Sequence, residues 1–468
     1  MTEMIQTYRQ ALEQVQSVGV QGRVAAVRGL TVNVADFPAP VGAACRIVHS
    51  QRSLEARVVG FAGEFAVVMP IGSTTGISRG DRVQLLSAQP ALPVGPGMLG
   101  RVLDGRGRPI DAAGPIGPAT RRPIWPEPIG PMQRRRITQP LATGVRAIDA
   151  MLTVGQGQRM GILAGSGAGK SVLLGMIARF TAAPVVVISL IGERGREVRD
   201  FIERDLGTEG LAKSVVVAST GDEPPLLRVQ AGAVATAVAE HFRDQGLDVV
   251  LLMDSLTRLA MAQRQVGLAA GEPPTTRGYT PSVFNLLPQL LERAGRTAAG
   301  SITAFYTVLL DGDDLGEPLS DAVRAVTDGH IYLSRDLAVR GQYPAIDCLQ
   351  SISRLMNELA APDHLQGARD VLASLASYRE IYEMVSVGAY QAGGSPEYDR
   401  AIRAYPMIRE FLAQPVDQGD GLDSARRKLM DLAGRIHATA PASGRRPPAG
   451  GARPASRPVG RKPKEPRP

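Results

Sequence analysis

Residues Gln158 to Phe180 read QRMGILAGSGAGKSVLLGMIARF, and this stretch restricts the fold more than any other. The apolar run Met160 to Leu163 predicts a buried strand. Val172, Leu173, Met176, Ile177 and Phe180 then recur at helical spacing. Between them lies Ala164-Gly165-Ser166-Gly167-Ala168-Gly169-Lys170-Ser171. Strand, glycine-rich turn, Lys-Ser and helix are the parts of a phosphate-cradling loop. Its glycines let backbone N–H groups converge on a polyphosphate without Cβ clashes, and the helix turns its positive end to the same charge. Gly165, Ser166, Gly167, Ala168 and Gly169 are therefore expected to line a nucleoside triphosphate. Lys170 would reach its β- and γ-phosphates, and Ser171 would hold Mg²⁺. The strict pattern begins with Gly; this chain has Ala164 and fits the relaxed form.

A 468-residue chain predicts two to four domains. Hydrophobic content of 44% and charged content of 21% fit a soluble globular protein. Cys45 and Cys348 form no disulfide framework and no metal pattern, which suits a reducing cytosol. The opening Met-Thr-Glu-Met has no basic region before an apolar core, so no secretory leader is expected. The apolar runs are too short to span a bilayer. The net charge of +8 is a property of one end: from Arg445 onward there are eight basic residues and one acid. The body is close to neutral, so charge alone does not make it a nucleic-acid binder.

Taken in order, Ile5, Tyr8, Leu12 and Val15 predict an amphipathic helix in residues 1–20. Two readings stay open there, a helix packed on its own domain and a docking peptide for a partner. Residues 21–97 carry short alternating runs between Gly, Pro and Asp turns, which predicts a small β-barrel. Residues 98–145, rich in Pro, Gly and Arg, read as a connector; its Arg134-Arg135-Arg136 reads as a solvated or subunit-facing patch. Residues 146–350 alternate strand and helix signals, which predicts a mostly parallel sheet with covering helices. Residues 351–438 read as helical. Residues 439–468, all Pro, Gly, Ala and charge in texture, read as a disordered tail. The fold class expected is thus multidomain α/β: barrel, central phosphate-loop domain, helical C-terminal domain, basic tail.

Further chemistry follows the loop. Asp248 to Asp254 is an apolar strand ending in a carboxylate, and beside Lys170-Ser171 that Asp254 is expected to order the Mg²⁺ water shell. Val185 to Ile191 is a second strand, ending in Gly192-Glu193-Arg194-Gly195-Arg196-Glu197. Hydrolysis needs a group that orients water in line with the γ-phosphorus, and Glu193 is the candidate. Arg194 and Arg258 are both candidates for neutralising phosphate charge, and spacing does not rank them. Asp311-Gly312-Asp313-Asp314 lacks the spacing of a calcium loop and reads as an acidic turn.

The chain resembles the hexameric ATPases related to the catalytic subunit of rotary ATP synthases. Within them it looks most like the export ATPase of type III secretion systems, of the flagellar type. The resemblance runs from about Gln21 to Pro415. It is carried by Gly60-Phe61 with Met69-Pro70, Leu99-Gly100-Arg101-Val102-Leu103-Asp104, Gly157-Gln158-Arg159 and the Gly192 to Glu197 block. It continues through Glu272-Pro273-Pro274 with Gly278-Tyr279, Tyr343-Pro344-Ala345-Ile346-Asp347 and Ser351-Ile352-Ser353-Arg354. The flagellar leaning comes from Gly300 to Leu310 and from Ser320-Asp321-Ala322-Val323-Arg324.

The resemblance implies an ATPase using ATP and Mg²⁺, with Glu193 as the catalytic carboxylate and Arg194 and Arg258 beside the phosphates. It implies that Arg354 reaches into an adjacent subunit's site and that Tyr343 packs on adenine. A second aromatic of that pocket would fall near Val416, which is aliphatic. The implied partners are further copies in a homohexamer, an elongated regulator at residues 1–20 and a coiled-coil stalk in the pore near Glu272 to Tyr279. An export-gate membrane protein and chaperone–substrate complexes complete the set. No specific nucleic acid is implied, and the implied location is cytoplasmic, peripheral to the inner membrane. Three alternatives stay open: an injectisome-type secretion ATPase, a catalytic subunit of a rotary synthase, and an RNA-translocating ring. The last rests only on the tail, which lacks the aromatic residues that stack on bases.

Overall fold

The computed structural model describes residues 19–49, 52–117, 119–310, 314 and 316–438. The amphipathic helix expected in residues 1–20, the tail at 439–468 and most of the acidic turn at 311–314 therefore lie outside the described residues.

Six strands form a closed antiparallel barrel: β1 (Gln21–Arg28), β2 (Thr31–Ala35), β3 (Ala44–His49), β4 (Arg52–Ala62), β5 (Phe65–Pro70) and β6 (Arg82–Ser87). Closure leaves no unpaired edge. Val32, Val34, Cys45, Ile47, Val68 and Val83 fill the interior. In β3 only Cys45 and Ile47 are fully buried.

The barrel leads into β7 (Ala91–Val94), β8 (Arg101–Asp104) and β9 (Thr120–Pro123). The expected connector is thus more than a connector. β7 pairs with β9, and β8 adds a parallel edge strand to the central sheet beside the strand Ser214–Ser219. Arg101 holds Asp111 through a two-pronged hydrogen bond, 2.8 Å at each contact, and closes the loop after β8.

The central sheet adds β10 (Arg159–Ala164), β11 (Val185–Ile191), β12 (Ser214–Ser219), β13 (Asp248–Asp254), β14 (Gly295–Arg296), β15 (Ser301–Leu309), β16 (Gly329–Leu333) and β17 (Ile352–Ser353). Its order is β17–β16–β10–β15–β13–β11–β12–β8, with β14 attached to β15. Pairing is parallel except for β14 and β17. β11 is VVVISLI and buried at every position, as a strand covered by helices on both faces must be. One face packs on helices Pro225–Asp244, Leu256–Ala270 and Pro281–Leu291. The other shares a continuous core with helices Arg146–Met151, Lys170–Phe180 and the C-terminal helices Pro362–Ser386, Pro396–Leu412 and Leu422–Ala438. The C-terminal domain is therefore fused to the sheet domain through shared apolar burial. β17, just past the expected domain boundary at 350, belongs to the sheet.

Polar clamps fix the loop between the last two helices. Arg146 Nε donates to Asp420 at 2.6 Å, and Gln414 Nε2 donates to the Gly144 carbonyl at 2.9 Å. On the opposite face Arg293 forks onto Glu240 at 2.9 and 2.8 Å and also donates to the Ile124 carbonyl at 3.0 Å. Both partners are buried. Removing one member of such a pair strands the other charge, and Arg122, 3.4 Å from Glu240, compensates only in part. Arg293→Ala is expected to cost about 3 kcal/mol, read as a lowered thermal unfolding midpoint.

Candidate active site

β10 ends at Ala164, which is buried, and Leu310 N–H donates to its carbonyl at 2.9 Å. Ala164 is the last residue of an ordinary strand, so the position that the strict pattern gives to Gly makes no demand for one here. The demand falls on Gly167 (φ +83°) and Gly169 (φ +85°), both in the left-handed region. Gly169 starts the helix Lys170–Phe180, whose first N–H groups face the loop. Ser166 and Gly167 are exposed at its tip.

Sheet register brings the carboxylates to this loop. Leu190 of β11 pairs with Asp254 of β13, so the turn after β11 carries Glu193 alongside Asp254. Lys170 Nζ forms a direct ion pair with Asp254 and lies 3.4 Å from Glu193 Oε1. Thr307 of β15 donates to Asp254 Oδ1 at 2.8 Å. Gly192 has φ +70°, and a Cβ there would meet the Arg258 side chain at 3.0 Å. That close approach lets Arg258 donate to the Gly192 carbonyl at 2.8 Å and to Glu193 Oε2 at 3.1 Å. Burial pushes the Glu193 carboxyl above its ordinary range; Lys170 and Arg258 oppose this, while Asp254 and a hydrogen bond to Glu197 add to it. That hydrogen bond holds the Glu197 carboxyl below its ordinary range.

The two phosphate-side arginine candidates separate. Arg258 enters the pocket. Arg194 does not: its side chain is 84% exposed and reaches only Glu197, at 3.9 Å. It stands at the start of helix Gly195–Asp200, facing away.

Tyr343 flanks the loop. A Cβ on Gly169 would lie 3.7 Å from its ring, which is 43% exposed. Gln414 N–H donates to the Tyr343 carbonyl at 2.8 Å, which brings the following Pro415-Val416 turn near. Val416 is exposed.

Arg354 is brought to a different place. β17 pairs with the start of β16, Gly329 opposite Ser353. Arg354 N–H donates to the Asp328 carbonyl at 3.0 Å, and Arg159, at the start of β10, donates its N–H to the Asp328 carboxylate at 3.0 Å. The phosphate loop leaves the other end of β10, five residues or roughly 17 Å away. Arg354 is exposed and out of reach of its own chain's loop.

Two contacts had not been expected from sequence. Arg335, after β16, donates through Nε and Nη2 to the Ser166 carbonyl at 3.3 and 3.0 Å. No motif marked it. Thr307 left no distinct trace, since Ser301 and Thr303 are also polar in the strand Ser301–Leu309.

Ser171 and Asp254 offer the hard oxygens that Mg²⁺ takes together with water and phosphate oxygens, so the donor set fits that ion. Among the described residues no group of three or more His, Cys, Asp or Glu side chains could hold a metal alone. Cys45 and Cys348 are free and buried. No helix among the described residues is long and apolar enough to cross a membrane.

Three family models match the chain: the ATP synthase alpha/beta family β-barrel domain over residues 24–86, the nucleotide-binding domain of the same family over 144–353, and the T3SS EscN ATPase C-terminal domain over 360–431. The chain is 49% identical to the flagellum-specific ATP synthase of Pseudomonas aeruginosa, covering 88% of this chain and 93% of the relative. It is 51% identical to a type 3 secretion system ATPase of Xanthomonas euvesicatoria, at the same coverage. The assembled ATPase EscN of the enteropathogenic E. coli type III secretion system superposes with a TM-score of 0.83 at 40% identity, covering 88% of this chain and all of that one. EscN in complex with its central stalk EscO gives 0.81 at 39% identity, with the same coverage.

Proposed function

This chain belongs to the ATP synthase alpha/beta family, in the branch of flagellum-specific and type III secretion ATPases, and from that premise we propose that it hydrolyses ATP as a ring of identical subunits to energise export of flagellar proteins. The observation that carries the shared-site part of this reading is the separation of Arg354 from its own phosphate loop. A guanidinium placed there is free of its own loop and supports a role at the loop of another copy. Head-to-tail contacts of that kind must close into a ring or run on as a filament.

Within one site, the backbone of Gly165 to Gly169 and the Lys170 ammonium hold the triphosphate. Lys170 exchanges its Asp254 partner for phosphate oxygens. Ser171 and Asp254 would hold Mg²⁺, which would supply charge neutralisation on the phosphates. Glu193 accepts a proton from, and orients, the attacking water. Arg258 fixes the Glu193 carboxylate and faces the developing phosphate charge. Tyr343 gives the adenine a flat surface, with Val416 in place of a second ring. Arg335 steadies the loop tip through Ser166.

Arg258 and Arg194 differ in a way that can be measured. Loss of a charge-assisted hydrogen bond is worth about 1.5–3 kcal/mol. Arg258→Ala is therefore expected to lower kcat about 10- to 100-fold. Arg194→Ala, a change at an exposed helix start, is expected to stay within about twofold. Equal losses in the two variants would return Arg194 to the site.

Pro273 to Arg277 is an exposed tip between two helices. It supports a stalk contact in the ring's pore, in line with the stalk complex of EscN. The elongated regulator, the export gate and chaperone–substrate complexes remain part of the proposal, as do the cytoplasmic location and placement at the inner membrane. The experiment for the ring is specific activity against protein concentration, with mass measured in parallel. Activity should rise as assembly proceeds. Full activity in a species that stays monomeric throughout would overturn the shared site. Injectisome-type export is the second reading, favoured by the 51% identity to the Xanthomonas euvesicatoria relative. Restoration of motility in a strain lacking its flagellar export ATPase separates the two.

A further inference from the structure

A cavity of about 460 Å³ lies between the segment Ser334–Leu349 and the helices Pro362–Ser386 and Pro396–Leu412. It is not the nucleotide site, though its wall segment carries Tyr343. Its lining is aromatic and acidic. Tyr378 stacks on Tyr405 with centroids 3.8 Å apart. Asp336, Asp347, Glu380 and Glu383 outnumber Arg340 and Arg379. Arg340 already lies over the Tyr382 ring, 4.6 Å from its centroid, so the site accepts a guanidinium on an aromatic face. Val339, Met384 and Val387 on the same segments are exposed.

The chain itself holds a complementary segment. Residues 439–468 contain eight basic residues and one acid, and four Arg-Pro steps at Arg446, Arg453, Arg457 and Arg467. Pro-rich segments take an extended form that docks on aromatic-lined grooves. The helix Leu422–Ala438 ends beside the cavity's own helix: His437 Nε2 lies 2.8 Å from Asp370 Oδ2. From Asp370 to Tyr378 is eight residues of one helix, about 12 Å. An extended run from Ala438 to Arg446 spans about 25 Å. Reach, charge and ring chemistry thus agree.

We propose that residues 439–468 dock in this tyrosine-lined acidic cavity of their own chain, with Arg-Pro steps on the rings and guanidinium groups at Glu380 and Glu383. Seated there, the tail braces the segment that carries Arg335 and Tyr343 beside the phosphate loop.

Two measurements test this. In the full chain, limited trypsin cleavage after Arg445 and Arg461, the tail arginines not followed by proline, should quicken at least fivefold in the Glu380→Lys/Glu383→Lys double variant. Both glutamates are exposed, so the fold should be kept, and circular dichroism checks this. Unchanged cleavage in the folded double variant would overturn the proposal. In the second, a fluorescein-labelled peptide of residues 439–468 is titrated into the chain ending at Ala438. Binding should saturate, weaken at least tenfold with Glu380→Lys/Glu383→Lys, and be at least tenfold weaker for the full chain, whose own tail fills the cavity. Equal binding to full and shortened chains, or binding indifferent to the two glutamates, sinks it. Protection that vanishes when the full chain is diluted would assign the cavity to a second copy's tail and overturn docking within one chain. A peptide that binds only RNA or anionic vesicles would also refute it.

Discussion

Glu193→Gln is expected to leave ATP binding close to that of the parent protein and to lower turnover about 10²- to 10⁴-fold. The exchange is isosteric, so Arg258 can still approach one oxygen of the amide. What is lost is the second lone-pair oxygen and the ability to take a proton. Glu193 stands where the turn after β11 meets Asp254 and Lys170, and it is the raised carboxyl of that cluster. Ground-state affinity rests mostly on the loop's backbone amides and on Lys170, which the exchange leaves in place. The measurement pairs steady-state hydrolysis with binding of a fluorescent ATP analogue. A Glu193→Gln protein with the parent's rate would remove Glu193 from the chemistry; one that no longer binds would give it a structural task instead.

The second large effect concerns two inactive proteins mixed together. Arg354→Ala should lose about 10³- to 10⁵-fold in turnover, as for other arginines supplied across a subunit boundary, with nucleotide binding retained. Lys170→Ala should be equally inactive, for a different reason: its loop loses the cation that meets the phosphates. If each site joins one chain's loop to its neighbour's Arg354, mixed rings contain some junctions with Lys170 on one side and Arg354 on the other. Such junctions are intact, so hydrolysis should return on mixing, in a range set by the mixing ratio. If Arg354 acted on its own chain, every site in the mixture would remain defective. No recovery, in mixtures shown by mass to contain both proteins, counts against the shared site. The geometry behind this is plain: Arg354 directly follows β17 and is anchored at the end of β10 remote from the loop.

Much of the site could be read in the linear chain because its parts are local. A glycine turn followed by Lys-Ser depends on backbone conformations that few residues adopt, so the turn reveals itself by composition. Asp254 and Glu193 could be named because each follows a continuous apolar run, and a buried parallel strand has to end at its functional edge. Arg258 and Arg194 could not be ranked. One is four residues after a strand and the other three, and only the packing of Arg258 on Gly192 chose between them. Arg335 was invisible, since its partner is a backbone carbonyl 169 positions away, and a carbonyl leaves no mark in a sequence.

By itself the sequence determined the phosphate loop, the order of barrel, sheet domain and helices, and the carboxylates at strand ends. These follow from local conformational cost and from the periodicity of burial, both written along the chain. Tertiary structure alone decided which arginine enters the pocket, that β8 extends the central sheet, that Ala164 needs no glycine, and that Arg354 faces away from its own loop. Those outcomes depend on sheet order and register, which are set by contacts between residues far apart in the chain, and no single stretch encodes them.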